Sequence, residues 1–435
     1  MTWFGPHTPF FHDPRSAENA FVITAACIAY GLTLALNAVT ARFLPPAAYG
    51  EFSSAVALAS IICTCATLGL EKYALRLIPE YLRNHRSAKV KGYILFGMLV
   101  TVLVGAALGF GGFAVYGTYK PHAENLSVLE QMLWFVPAIA LFFFLVEIAT
   151  TFRNSVGPTM VYRLVLPAIT LVAMVAVSRM AAQFTVSDAV DVYGVSWIVG
   201  LVVLAVYAVV AAPRELHDPG VSVEPRQWIT NGIGFLGLSL LLTLFAQSTI
   251  LILEVLKGDR AGVAMLSAAL QISGLAILLQ TATLRVFAPE LARRIAAGDV
   301  QGQWALIRKR GRVMLMVGIP FTAGIIVFGH ELLGLFGAEY KSAYPTLIVL
   351  TVGNVVNIFL GAAPVFLQFH GRHRLTLALA AAGTVVTFAT IAVASEVGTY
   401  ETVAQAYTCA LIALYIVLHI VARRVWRGLA RASAT

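Results

Sequence analysis

Charge is scarce in this chain of 435 residues: Asp, Glu, Lys and Arg make up 12% of it, against 59% hydrophobic residues. So little charge leaves almost no sequence for a water-soluble domain. The four cysteines all fall within apolar stretches, which favours packing roles over disulfides or a metal site. The motifs G-x-x-x-x-G-K-[ST], H-E-x-x-H and C-x-x-C are absent, so direct use of ATP is not indicated and no cofactor or metal is expected.

What the chain has instead is twelve apolar stretches between Phe21 and Val421. A hydrocarbon core of ~30 Å needs roughly 20 residues of helix, so each stretch predicts a transmembrane helix. The predicted fold class is an all-α integral membrane protein. The predicted spans are residues 20–41, 49–70, 93–115, 131–151, 160–180, 192–211, 231–253, 261–283, 312–333, 344–366, 375–395 and 402–422.

Basic residues are distributed unevenly between the gaps. If the N-terminus is cytoplasmic, 24 of the 30 Lys and Arg residues fall in cytoplasmic segments and 6 in external ones. This asymmetry predicts cytoplasmic N- and C-termini. It also explains the net charge of +9 through contact with anionic membrane lipids, so no nucleic-acid partner is expected.

The two halves of the chain resemble each other. LRLIPE at residues 75–80 and LRVFAPE at residues 284–290 follow the second and eighth spans, offset by 209 to 210 residues, and each continues as a basic amphipathic stretch expected to form a short helix. Residues 213–228 hold three prolines and predict a mobile cytoplasmic linker between bundles at residues 1–212 and 229–435. Two pseudo-symmetric six-helix bundles are a known transporter architecture.

Three short segments resemble patterns of one family. RFLPPAAYGEF at residues 42–52, LLGLFGAEYKSAYPTL at residues 332–347 and GRHR at residues 371–374 resemble Wzx-type polysaccharide flippases of the multidrug/oligosaccharidyl-lipid/polysaccharide (MOP) exporter superfamily. The resemblance implies a MATE-like carrier that moves an undecaprenyl-diphosphate-linked oligosaccharide across the bacterial inner membrane. It also implies polysaccharide polymerase machinery as a candidate partner.

Polar residues near the predicted midplane form the first candidate site. They are Tyr30, Gln271, Asn354 and Asn357, the two asparagines lying three apart on one helical face. Amides suit sugar hydroxyls, and a Tyr ring can pack against a sugar face. Hydrogen bonding between helices without a ligand is an equally good explanation.

Three arginines form the second candidate site. Arg76 and Arg285 occupy matching positions at the cytoplasmic ends of the second and eighth spans, and Arg42 ends the first span on the outer side. A guanidinium suits a diphosphate, so Arg76 and Arg285 are expected to capture it and Arg42 to line its exit. The alternative is that these basic loops only orient the chain.

An intramembrane carboxylate is the third candidate. Glu147 lies inside the fourth span, where a charge is costly unless it faces a cavity or a partner, and Arg163 begins the fifth. We expect coupling to H⁺ or Na⁺ at this pair. The alternatives are a structural Glu–Arg pair or a Glu147 side chain that reaches the membrane interface.

Other functions stay open at this stage. The runner-up is a cation-coupled multidrug exporter of the MATE branch, which has the same architecture. A scaffold for a biosynthetic complex would use the basic loops as docking surfaces. An enzyme is not expected, because the external gaps are too short to present catalytic carboxylates together.

Overall fold

The computed structural model describes residues 14–119, 126–152, 156–217 and 220–432, and this part of the chain is helical without strands. Short turns of other helical types lie at Val161–Val165 (π), Arg214–His217 and Glu339–Ala343 (both 3₁₀). The α-helices are α1 Pro14–Phe43, α2 Pro46–Ala66, α3 Leu70–Arg83, α4 Ser87–Tyr119, α5 Leu126–Phe152, α6 Val156–Met160, α7 Leu166–Met180, α8 Val186–Ala211, α9 Pro225–Lys257, α10 Arg260–Ser273, α11 Leu275–Ala296, α12 Val300–Gly334, α13 Tyr344–Leu360, α14 Ala363–Phe369, α15 His373–Val397 and α16 Tyr400–Ala432.

Twelve helical segments of the described ranges are long and apolar enough to span a membrane, which confirms the predicted fold class and span number. Six lie before residue 212 and six after residue 224, which gives each half of the chain a bundle of six. Valines and leucines remain exposed on the outer surfaces of α8, α9, α12 and α15. Such a belt needs lipid rather than water around it.

Local signals set the helix boundaries. Pro46, Pro225 and Pro345 stand in the first turns of α2, α9 and α13, where a missing N–H costs nothing. Asp259 and Asp299 accept hydrogen bonds from the amides of Gly262 and Gly302 at the starts of α10 and α12. These signals fix the turns on both membrane faces.

The two halves share a helix–turn–helix layout on one face. α3 ends at residue 83 and α4 begins at residue 87, while α11 ends at residue 296 and α12 begins at residue 300. His85 and Gly298 turn the chain with φ of 54° and 69°. We call this the basic face, defined by the ends of α3, α4, α11 and α12. Neither amphipathic stretch is therefore one short helix, because the turns at His85 and Gly298 divide them and their latter parts begin the long α4 and α12.

The segment predicted as a linker is shorter than expected and attached to the first half. Pro225 already starts α9, so residues 225–228 are helical. The Ser222 amide donates to the Ala88 carbonyl at 2.9 Å, and Lys89 pairs with Glu224. Residues 222–224 thus lie against the start of α4 rather than free in solvent.

Candidate functional site

A cavity of about 620 Å³ lies between the two halves. Helices α1, α2, α7 and α8 and the π turn line it from the first half, and α9, α10, α11, α13 and α16 line it from the second. The residues used below belong to this central cavity. They are Tyr30, Phe52, Tyr162, Arg163, Tyr193, Trp197, Gln247, Ser267, Gln271 and Asn354.

Arg163 is the one formally charged residue among the described residues that line the central cavity. It lies in the π-helical turn, and the reason is local: Pro167 has no N–H to donate to the Arg163 carbonyl four residues earlier, and Leu166 instead donates to Val161. The Arg163 side chain is exposed, and in the ranges described no ion pair joins it to a carboxylate. A fixed positive charge therefore faces the cavity.

The first half contributes an aromatic wall. Phe52 and Tyr193 meet edge to face with ring centres 5.6 Å apart, and Trp197 lies 5.9 Å from Tyr193 and 6.2 Å from Tyr162. These rings hold one another in place by packing. The rings present flat apolar faces to a molecule bound in the central cavity.

The second half contributes a polar wall. Ser267, Gln271 and Asn354 come from α10 and α13, and Gln247 from α9. The Ser267 hydroxyl is buried and has no hydrogen-bond partner in the described part of the chain. Native structures leave few buried polar groups without a hydrogen bond. A buried hydroxyl without a partner at a cavity wall therefore indicates that a molecule in the cavity supplies the hydrogen bond.

The structure brings Tyr30 and Gln271 together, as an inter-half contact. The Tyr30 hydroxyl donates to the Gln271 backbone carbonyl at 2.6 Å, beside the break between α10 and α11. Gly274 stands at that break, where a Cβ would collide with the Tyr30 hydroxyl. The bond uses the Gln271 backbone, so its side-chain amide stays in the cavity wall.

The two asparagines separate in the fold. Asn354 is buried in the cavity wall and donates to the Ser273 hydroxyl at 3.2 Å. Asn357 lies one turn further along α13 and is not among the lining residues, although its side-chain oxygen is buried without a partner in the described ranges. Their shared helical face does not bring both into the cavity.

The arginines predicted to hold a diphosphate lie elsewhere. Arg42 donates to the Gly334 carbonyl at 3.1 Å on the face opposite the basic one, and Arg76 is exposed on α3 beside a small basic-face pocket of about 370 Å³. Neither lines the central cavity. Arg285 lies in α11, and its side chain falls outside the described part of the structure.

A second cavity of about 580 Å³ adjoins the first toward the basic face and shares Tyr162, Arg163, Ala246 and Gln247 with it. Glu147 lines this second cavity, and its ion-pair partner is Lys72 of α3 rather than Arg163. The expected Glu147–Arg163 pair is therefore replaced, because α3 packs directly on α5 and presents Lys72 there. In the residues described, no group of three His, Cys, Asp or Glu is arranged to hold a metal ion.

The end of the interface away from the basic face is closed. Arg260 at the start of α10 donates to Glu51 of α2 at 3.2 Å and also lies 3.5 Å from Glu254. Gly50 packs so closely on the Arg260 carbonyl that a Cβ would collide with it. Tyr49 and Tyr340 meet edge to face at 6.2 Å. We call this contact between α2 and α10 the distal seal.

Comparisons with known proteins agree with this architecture. A family model described as "Polysaccharide biosynthesis protein" matches residues 16–293. An inward-facing multidrug resistance MATE family transporter of the MOP superfamily has a TM-score of 0.77 and 15% identity, covering 93% of this chain and 96% of that one. An outward-facing structure of such a transporter scores 0.65 at 15% identity, covering 97% of this chain and 98% of that chain.

A third solved structure is a MOP superfamily transporter from Pyrococcus furiosus, described by a reverse polarity of its binding pocket that suggests a different function. Its TM-score is 0.63 at 16% identity, with 97% of this chain and 98% of that one covered. No curated protein shows significant sequence similarity to the chain.

Proposed function

Because the chain belongs to the polysaccharide biosynthesis protein family and shares the fold of MOP superfamily transporters, we propose that it is a membrane transporter, a flippase for an undecaprenyl-diphosphate-linked oligosaccharide. The family supports an exporter acting in polysaccharide biosynthesis. The proposal narrows the cargo to a lipid-linked sugar carrying a diphosphate.

The charge of the central cavity carries this proposal. Arg163 is the single charge on the described wall, and it is positive. A guanidinium binds phosphate oxygens through paired charge-assisted hydrogen bonds, so the wall suits an anionic headgroup. The aromatic and polar walls suit the glycan, since rings can pack on the apolar faces of sugars while amides and hydroxyls bind their OH groups.

The sign of the charge in the central cavity also distinguishes a flippase from a cation-coupled multidrug exporter. A cation-coupled drug exporter needs negative charge where its cationic cargo binds, yet none of the described residues lining the central cavity is Asp or Glu. The carboxylates Glu71 and Glu147 line the adjoining second cavity, where Glu147 is paired with Lys72. The MATE fold is equally compatible with both functions, so the fold gives no preference. The cavity chemistry favours the anionic cargo.

The closed distal seal supports an inward-facing state. The similarity to the inward-facing MATE transporter exceeds that to the outward-facing one, 0.77 against 0.65. We place the basic face in the cytoplasm of a bacterial cell, following the asymmetry of the basic residues. Transport then proceeds by rocking of residues 1–212 against residues 229–435, while the polyprenyl tail stays in lipid.

The remaining predicted residues receive auxiliary roles in this proposal. Exposed Arg76, with Arg285, draws the diphosphate to the cytoplasmic face, and Arg42 lies where the headgroup leaves. Tyr30, Gln271 and Asn354 border the glycan. Asn357 lies outside the wall in this state and would reach the cargo only after the helices rearrange. Glu147, paired with Lys72 in the second cavity, couples transport to an ion gradient.

Reconstitution tests the function directly. Proteoliposomes containing the purified chain are loaded with lipid-linked oligosaccharides extracted from a strain that lacks it, and a lectin outside the vesicles reports exposed glycan. We expect faster exposure than in empty liposomes and in liposomes carrying the Arg163→Ala variant. A scaffold would move nothing, and a drug exporter would move a cationic dye without exposing glycan. Either result would reject the flippase assignment.

A further inference from the structure

Among the described residues, none forms an ion pair with the buried acidic side chain of Glu71. It lies in the first turn of α3, lines the second cavity and is 6% exposed. Its Oε2 atom is buried and has no hydrogen-bond partner among the described residues. The neighbouring Lys72 pairs with Glu147 instead. A carboxylate removed from water without a paired cation is costly, whereas the neutral acid is not.

The groups around Glu71 act on its pKa in both directions. Burial is the main influence and raises the pKa of Glu71, and the nearby Glu147 carboxylate raises it further. The Thr67 hydroxyl, the local backbone and Lys72 oppose the effect without cancelling it. The titratable or charged groups near Glu71 or on the wall of the same cavity are Lys72, Tyr93, Glu147, Tyr162, Arg163 and Cys63. The neutral hydroxyl groups of Thr67, Ser239 and Thr243 also lie there.

Glu71 also adjoins a break in the chain that contacts both halves. Leu68 and Gly69, between α2 and α3, have φ of 51° and 72°, so two consecutive residues take the left-handed conformation. An added Cβ at Gly69 would collide with the backbone of Gly232 and Leu236 on α9, the first helix of the second half. Any rotation of α3 about this break therefore changes the packing between halves.

We propose that Glu71 is a proton-binding site which holds its proton in the inward-facing state and releases it when α3 moves at the Leu68–Gly69 break. This inference rests on the proposed transport function and names the proton as the coupled ion. With Glu71 neutral, the cluster of Glu71, Lys72 and Glu147 has no net charge. Once Glu71 ionises, two carboxylates compete for Lys72, which strains the pair joining α3 to α5.

The first test measures proton binding without transport. Thermal unfolding midpoints of the full-length protein are recorded in nanodiscs from pH 5 to pH 8 for the wild type and for Glu71→Gln. Because the folded chain holds the proton more tightly than the unfolded chain, wild-type stability falls as pH rises through the raised pKa. Glutamine mimics the neutral acid, so we expect its midpoint to exceed the wild type's by about 2 °C or more at pH 8, with the gap closing at pH 5.

Glu80→Gln is the matched control, because Glu80 lies exposed on the same helix. It should follow the wild-type pH dependence. Parallel pH curves for Glu71→Gln and the wild type would overturn the proton site. If Glu71→Gln does not fold, Glu71→Ala with the same pH series keeps the test open, since it also removes the titrating group.

The second test measures coupling. Proteoliposomes holding the extracted lipid-linked oligosaccharide are given a pH gradient, and glycan exposure is followed with lectin. We expect the pH gradient to change the transport rates of the wild type and of Glu80→Gln at least threefold. For Glu71→Gln, the fold-change in rate should be less than half of the wild-type fold-change. Equal responses in all three would reject coupling at Glu71 and leave the flippase function standing. No transport by the wild type at any pH would instead reject the flippase function, while the unfolding series still decides the proton site.

Discussion

Arg260 donates to Glu51 at 3.2 Å across the interface between the two halves. Glu51 lies in α2 and Arg260 begins α10, so the two charges come from the second membrane-spanning helix of each half. Oppositely charged residues of the two halves thus meet where the halves touch. The distal seal is built around this pair, and its strength should set the balance between states facing the two membrane sides.

Reversing one charge of the pair should open the distal seal. Arg260→Glu places three carboxylates together with Glu51 and Glu254, and like charges at this distance repel. In a background without the native cysteines, a thiol reagent that cannot cross the membrane should label Asn37→Cys in the cavity wall at least fivefold faster. The double variant Glu51→Arg, Arg260→Glu should restore slow labelling. Unchanged labelling in the single variant would argue against the seal.

Gly50 provides a steric test of the same contact. A methyl group there meets the Arg260 carbonyl, which belongs to a helix backbone and cannot move aside alone. Gly50→Ala should therefore separate α2 from α10 and reduce glycan transport several-fold, with faster Asn37→Cys labelling as the structural readout. Gly31→Ala is the control, since a Cβ there meets nothing within 4 Å. Wild-type labelling of Gly50→Ala would show that the helices need not approach so closely.

The sequence sufficed for the spans because helix length and the placement of Lys and Arg follow from the bilayer itself. It did not show which side chains meet. The sequence pairs Glu147 with Arg163, yet the close packing of α3 on α5 supplies Lys72. In the sequence, Lys72 is only one of the 24 basic residues assigned to cytoplasmic segments. Asn354 and Asn357 share a helical face, but of the two only Asn354 is among the described residues that line the cavity.

Other features missed from the sequence depend on backbone geometry. The π turn that places Arg163 has one sequence signal, Pro167, and a proline alone predicts only a kink. The Leu68–Gly69 break divides what looked like one span with a basic tail, so Glu71 gave no sign of being buried. Tyr30, Gln271 and Asn354, chosen from the sequence because polar groups are rare in apolar spans, are among the residues that line the central cavity.

Acid should loosen the connection between the halves at the basic face. The hydrogen bond from Lys89 holds the pKa of the Glu224 carboxyl below its ordinary value, so the carboxylate favours the folded arrangement above that ordinary value. This contribution is lost as pH falls through the lowered pKa. Hydrogen exchange of the Ser222 amide, which donates to Ala88, should therefore accelerate relative to the α9 amides as pH falls below the ordinary carboxyl pKa. Glu224→Gln should show the faster relative exchange already at neutral pH, and equal rates would contradict the link.

Arg163 offers the sharpest test of the cargo's charge. Charge-assisted hydrogen bonds contribute about 1.5–3 kcal/mol, so Arg163→Ala should weaken binding of undecaprenyl diphosphate by roughly 10- to 100-fold. Arg163→Lys should recover part of the affinity, because an ammonium keeps the charge but loses the two-pronged geometry. Arg179→Ala removes an exposed arginine from the other end of α7, away from the cavity, and serves as the matched control. Quenching of tryptophan fluorescence in nanodiscs can follow the titration, since Trp197 lines the cavity. A wild-type affinity in Arg163→Ala would mean that the diphosphate binds elsewhere, and Arg76 on the basic face would be the next residue to test.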